Sequence, residues 1–320
     1  MRNHFDIWQH FTPFRSTIFT KRYLTSCYEK LMIKEAKKRA YENCYPFLYY
    51  LDYSEKYFKQ TDVAPMELHP ILLFYGMTQL LKACILTQDP DYPSTSQVLA
   101  HGVSTRKRKK MRYSFLDDEV KIQKQGLFAH FSDKMFHVKH LSGEKYKMRQ
   151  LLRQISELHP LFSTLEKKKE RHELFQLSEK TLAVSENILN DYQLGFSSFQ
   201  HFFLSFEHIQ SVEKNNGMIY FELFSPLKRY DCAPFMYDLN GRYYLSAYRG
   251  ETLPFPEIII HYLLLYNLSM ICRYETEWWS ELFHYQCEHD FPFIETFLKI
   301  TKEKIPLFVS SILHNHFFDE

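Results

Sequence analysis

Pro256-Glu-Ile-Ile-Ile-His-Tyr-Leu-Leu-Leu-Tyr-Asn-Leu-Ser-Met-Ile-Cys-Arg-Tyr-Glu-Thr-Glu-Trp-Trp-Ser-Glu-Leu-Phe283 is the stretch whose reading decides the fold class. Pro256 suits a first helical turn, where its missing N–H costs nothing, and Glu257 suits the positive end of the helix dipole. From Ile258 to Ile271 apolar residues fall on every face, the pattern of a helix enclosed by other helices. A bilayer span needs roughly 18 or more apolar residues with few charges, and His261, Asn267 and Arg273 interrupt this run. The reading is a core helix over about 257–273. A second segment, Ile71 to Leu86, has the same character, with only Gln79 and Lys82 strongly polar. The two enclosed helices, about 70–87 and 257–273, are expected to pack together.

Working outward, residues 16–43 read as one long helix, Tyr45-Pro46 as punctuation, and Phe47 to Lys59 as a second, tyrosine-rich helix. Phe115 to Phe136 suggests short strands or irregular structure. Residues 144–158 and 161–175 look helical and are broken at His159-Pro160. Gly217 to Phe224 reads as a strand, and 235–248 as a hairpin around Asn240-Gly241, a type I′ turn signal. The tail, 291–318, reads as a helix kinked at Pro306. The expected architecture is mainly α with a small β element: a helical bundle around the two enclosed helices plus the antiparallel hairpin. Its parts are 1–195 (helical, with a basic loop), 196–255 (β-containing) and 256–320 (helices completing the core), gathered in one compact unit.

Composition narrows the function classes. Forty Lys and Arg against 38 Asp and Glu leave a formal charge of +2, so a polyanion site must be local and a long nucleic acid is not expected. Eight glycines, no GxGxxG and no P-loop argue against a glycine-rich nucleotide fold. Six scattered cysteines without CxxC pairs suit reduced, buried thiols. The N-terminus has no apolar signal core, so cytoplasm is expected, with no membrane association. No GxSxG elbow or cysteine motif marks a nucleophile, and His284-x-x-Cys287-x-His289, His137-x-x-His140 and His314-x-His316 lack a second half at zinc spacing. No catalytic residue, metal or cofactor is assigned.

The most pointed local feature is Arg106-Lys107-Arg108-Lys109-Lys110-Met111-Arg112, preceded by His101-Gly102 and Ser104-Thr105. Hydroxyls, a glycine and guanidinium groups are what a phosphate site uses, although a solvated surface loop has the same composition. Arg273 and Tyr274, with Trp278-Trp279, form the second candidate: an arginine for a phosphate and rings for a base, or simply a helix end and core packing. Arg153-Gln-Ile-Ser-Glu-Leu-His159 has the Arg-to-His spacing of HEPN ribonucleases, with Pro160 against a continuous helix there. A ribonuclease using Arg153 and His159 is therefore one rival, and a scaffold without any small ligand is another.

Three segments carry a family likeness: Tyr45-Pro-Phe-Leu-Tyr-Tyr-Leu51, His69-Pro-Ile-Leu-Leu-Phe-Tyr-Gly-Met-Thr-Gln-Leu-Leu-Lys-Ala83 and Leu268-Ser-Met-Ile-Cys-Arg-Tyr-Glu-Thr-Glu-Trp-Trp279. With His101-Gly102 they resemble the YaaC-like family, in the same order along nearly the whole chain. The resemblance implies a non-catalytic cytosolic regulator, encoded beside IMP dehydrogenase. It would bind a guanine alarmone, (p)ppGpp, then dock on and inhibit that enzyme and so control GTP synthesis. A homo-oligomer is left open. Candidate ligand residues are His101, Gly102, Ser104, Thr105, Arg106, Lys107, Arg108, Lys109, Lys110, Arg112, Arg273 and Tyr274.

Overall fold

The computed structural model describes residues 6–105, 113–140, 142–167, 171–285 and 289–318. In chain order they form α1 (Thr17–Lys30), α2 (Ala36–Gln60), α3 (His69–Gln88), β1 (Val103–Thr105), β2 (Glu119–Ile122), α4 (Leu127–Phe136) and β3 (Lys145–Lys147). There follow α5 (Met148–Leu152), α6 (His159–Glu166), β4 (Arg171–Gln176), β5 (Thr181–Ser185), α7 (Ile188–Tyr192) and α8 (Phe196–Phe203). The chain continues through β6 (Ile209–Asn215), β7 (Met218–Leu223), β8 (Met236–Tyr237) and β9 (Tyr243–Ser246), and ends in α9 (Glu257–Tyr274), α10 (Thr276–Tyr285) and α11 (Asp290–Phe318). The protein is mainly helical with two antiparallel sheets, of three and six strands. It divides into two compact units: Met1–Met148 with His261–Glu320, and Arg149–Ile260.

The first unit is the helical body. Its long helix α2 turns Ala40, Cys44, Phe47, Leu51, Ser54 and Phe58 inward at helical spacing. Each large apolar side chain so enclosed contributes roughly 1.5–3 kcal/mol. That continuous stripe explains a departure from the sequence reading: α2 runs straight through Pro46, and its packing outweighs the lost hydrogen bond. The break falls earlier, between α1 and α2, where Met32 and Glu35 take left-handed backbone conformations. Against α2 lies α3, so close that a Cβ on Gly76 would stand 2.7 Å from the Phe58 ring. Ser54 donates its hydroxyl to the Gly76 carbonyl across the same crossing (2.8 Å). Residues 66–88 are long and apolar enough to span a bilayer, yet an 18-residue apolar window within them is 72% buried inside the protein, as for a core helix.

The two enclosed helices do meet. Phe74 of α3 touches Tyr262 and Tyr266 of α9, with ring centroids 5.4 and 5.7 Å apart. Farther along the unit, His261 lies 2.8 Å from the Thr301 hydroxyl of α11 and stacks on Phe297. The segment 115–136, expected to be strands or irregular, holds β2 and an unforeseen helix, α4. The small sheet β1-β2-β3 flanks it, with Val103 opposite Ile122 and Thr105 opposite Val120.

The second unit carries the larger sheet, in the order β6-β7-β5-β4-β9-β8. Phe199 and Phe203 of α8 pack on Phe221 of β7. The expected helix over 161–175 stops at Glu166, and 171–176 is a strand instead. His172 and Leu174 point inward in alternation while β9 pairs alongside, and that pairing overrides the local helical preference. The expected hairpin exists as β8 and β9, but its connection is longer than a two-residue turn. Asp238 staples it, accepting from the Asn240 and Arg242 amides (both 2.9 Å). The second unit, Arg149–Ile260, takes in residues 149–195 together with the β-containing segment 196–255. The tail is one helix, α11, that includes Pro306.

Candidate functional site

The basic run 106–112, with Arg106, Lys107, Arg108, Lys109, Lys110 and Arg112, lies outside the described residues. Both of its flanks are described and both are firmly fixed. On the N-terminal side, Ser104 and Thr105 stand in β1, and the Ser104 hydroxyl accepts a hydrogen bond from the Gln123 side chain (2.6 Å). Gly102 (φ +78°) crosses Gly126 (φ +131°) so tightly that a Cβ on Gly126 would stand 2.3 Å from the Gly102 Cα. Only glycine fits such an approach. On the C-terminal side, the buried carboxylate of Asp290 accepts from the Phe115 amide (2.6 Å), the Leu116 amide (3.2 Å) and the Ser114 hydroxyl (3.2 Å). Tyr113 donates to Asp118 (2.7 Å) and sets its ring edge-on to Trp278, 4.6 Å away. Burial pushes the Asp290 carboxyl above its usual range, although those three donors oppose the shift.

At the root of the N-terminal flank sits a cluster of cations among rings, all within the first unit. His101 is half-buried between Phe74 (5.0 Å), Tyr75 (6.5 Å) and Tyr266 (5.7 Å), counted between ring centroids. Its backbone carbonyl accepts from the Tyr262 hydroxyl (2.9 Å), which fixes the main chain there. Arg273, at the end of α9, donates to the Ser269 carbonyl (3.0 Å) and reaches the Tyr75 hydroxyl (3.4 Å). Lys82 of α3 extends over the Tyr50 ring, 5.6 Å from its centre. Among the described residues no carboxylate lies within 4.0 Å of Lys82 or Arg273.

The electrostatics follow from that arrangement. Burial, then the charges of Arg273 and Lys82, hold the His101 imidazole below its ordinary pKa. Burial likewise lowers the Lys82 ammonium. Like charges gathered in partial burial without a counter-ion oppose folding, so they mark a binding-site candidate rather than a structural ion pair. A neighbouring tyrosine adds a further unsatisfied group: Tyr92, 5% exposed, has a hydroxyl with no hydrogen-bond partner among the described residues. Chemically the cluster offers cations for an anion and tyrosine faces for a ring.

The structure therefore brings together two of the sequence-derived candidates, His101 and Arg273, from segments 172 residues apart. Gly102 acts through the backbone crossing, and Ser104 and Thr105 lead from the cluster into the basic run. Tyr274 is mostly exposed at the end of α9, with the Arg273 guanidinium 5.4 Å from its ring centre. Sequence reasoning did not assign Lys82, Tyr75 or Tyr266 to the site. The available signal was Lys82 itself, a cation within an otherwise apolar helix. Of the tryptophan pair, Trp279 is buried and donates to the Glu67 carbonyl (3.0 Å), a packing role.

The Arg153–His159 pair belongs to the second unit and does not share one helix. Arg153 follows α5 and binds Glu166 (2.5 Å). His159 opens α6, 1% exposed, with its Nε2 2.6 Å from the Arg153 carbonyl oxygen. Burial lowers its pKa to about 4. A single-helix arrangement with an accessible histidine is thus not formed.

A family model described as YaaC-like Protein matches residues 12–313. No curated protein and no solved structure matches the chain.

Proposed function

The chain belongs to the YaaC-like family, and on that premise we propose that it is a non-catalytic regulatory protein of the cytoplasm. It binds the guanine alarmone (p)ppGpp and, when loaded, docks on and inhibits IMP dehydrogenase, restraining GTP synthesis. The observation that carries this reading is the uncompensated group of Lys82, His101 and Arg273 among tyrosines, at the root of the basic run. A guanosine polyphosphate presents several phosphate charges and one flat base. Lys82 and Arg273 answer the phosphates with charge-assisted hydrogen bonds. His101 gains its proton as the anion arrives, and the partly buried Tyr75 ring offers a face to the purine. The basic composition of 106–112, which follows Thr105 in the chain, suits the same polyanionic ligand.

Regulation is then a matter of linkage. Ligand that favours the partner-binding conformation is itself bound more tightly when the partner is present, by the same factor. The test is IMP dehydrogenase turnover with purified protein, alarmone, or both. Inhibition that requires both components supports the proposal. Full turnover at every alarmone and protein concentration rejects it.

A further inference from the structure

Helix α2 carries an aromatic row most of which its own fold leaves exposed. Tyr41, Tyr45, Tyr49, Tyr53 and Tyr57 recur every four residues, so they form one ridge along the helix. The inner face of α2 is complete without them, built from Ala40, Cys44, Phe47, Leu51, Ser54 and Phe58. The first four tyrosines are 63%, 50%, 57% and 54% exposed. Four adjacent exposed rings on one helix are uncommon on a surface without a partner, because each can bury a large apolar area. Tyrosine is also a residue type enriched among binding hot spots.

Two further observations say what covers the row. The first is continuity: at its inner end Tyr57 stacks on Tyr75 (6.2 Å, 29°), whose hydroxyl meets Arg273 of the cation cluster. The ridge therefore starts at the candidate ligand site and runs outward from it. The second is charge. Lys21 of α1 sits over the Tyr41 ring (4.5 Å); exposed Lys37 lies one helical turn before Tyr41, and exposed Lys34 lies in the turn that leads into α2. Among the described residues none of these three has a carboxylate within 4.0 Å. Lys38 and Lys56, by contrast, are paired with Glu35 and Asp52. The outer end of the ridge thus has a surplus of positive charge.

We propose that the exposed row Tyr41–Tyr53, edged by Lys21, Lys34 and Lys37, is the surface by which this protein engages a protein partner. That partner presents an apolar strip bordered by carboxylates. A second copy of the chain would bring the same unpaired lysines to the contact, so charge complementarity favours a different protein. The inference rests on the function proposed above and adds the surface through which docking occurs. The same helix turns Tyr50 and Tyr57 to the ligand site and Tyr41 to Tyr53 to the partner, so the two surfaces are joined by one rigid element.

The experiment compares wild type, the Tyr45→Ser/Tyr49→Ser double variant and Lys37→Glu. It reads affinity for immobilised IMP dehydrogenase with guanosine tetraphosphate present, alarmone affinity by calorimetry, and the thermal midpoint. The double variant is expected to lose dehydrogenase affinity roughly tenfold or more, with alarmone affinity and thermal midpoint unchanged. Lys37→Glu weakens docking without removing an aromatic ring, which keeps the test independent of any folding defect. Docking of both variants at wild-type affinity overturns the surface while leaving the proposed function standing. A wild type that fails to dock with or without alarmone overturns both. A wild-type dimer in sedimentation that the double variant abolishes reassigns the row to a second copy of the chain and overturns the inference.

Discussion

Replacing Lys82 by Met separates a binding lysine from a structural one, because the two roles predict opposite signs. Met keeps most of the apolar stem of Lys82, which lies within the nearly all-apolar α3. It removes an ammonium that burial disfavours and that shares its surroundings with His101 and Arg273. No carboxylate partner is lost among the described residues, and the contact with Tyr50 at 5.6 Å is at the far edge of cation–π range. Desolvation and like-charge repulsion, discounted for the partial exposure of the group, outweigh that contact. The variant should be more stable by about 0.5–1 kcal/mol. If Lys82 meets a phosphate, losing one charge-assisted hydrogen bond costs about 1.5–3 kcal/mol of binding, roughly tenfold to a hundredfold in Kd. Urea denaturation and calorimetric titration with guanosine tetraphosphate give the two readouts. A variant destabilised by more than about 1 kcal/mol, or one that binds as tightly as wild type, would refute the reasoning.

The remaining predictions concern the anchors and the imidazole. Asp290→Ala leaves the buried Phe115 and Leu116 amides without their acceptor. At roughly 1–3 kcal/mol each, less the relief of a buried carboxylate, urea denaturation should show a loss of about 2–4 kcal/mol. Gly126→Ala drives a Cβ into the Gly102 backbone at 2.3 Å from a positive-φ position, so its thermal midpoint should fall by an amount equivalent to about 3 kcal/mol. His101, held below its ordinary pKa, is largely neutral at pH 7 in the free protein, and a bound polyanion favours its protonated form. The complex then holds more protons than the free protein, so alarmone affinity rises as pH falls toward 6, by at most about tenfold per pH unit. The difference between wild type and His101→Gln isolates this contribution from the phosphates' own ionisation, and identical pH profiles would refute it.

What could be read from the chain divides along physical lines. The enclosed helices α3 and α9 were legible because runs of apolar residues on every face allow one environment only. Boundaries set by tertiary packing were not. Pro46 is a local stop signal, and nothing local announces that the stripe from Ala40 to Phe58 will carry a helix through it. Residues 171–175 looked helical because their charges fit an exposed helix face, whereas their pairing with β9 depends on residues some 70 positions away. For the site, His101 and Arg273 were named separately on chemical grounds, but their meeting requires α3 and α9 to cross at Phe74. Lys82 was visible as an exception in its helix. Its role became legible only when neighbouring cations appeared beside it without a carboxylate among the described residues.

The most direct test of the central claim is a calorimetric titration of guanosine tetraphosphate into the wild-type protein, repeated with Lys82→Met/Arg273→Ala. The account predicts saturable binding by wild type and a loss of roughly a hundredfold or more in the double variant, from two charge-assisted contacts removed together. No heat of binding in wild type, or equal affinity in both proteins, would contradict it.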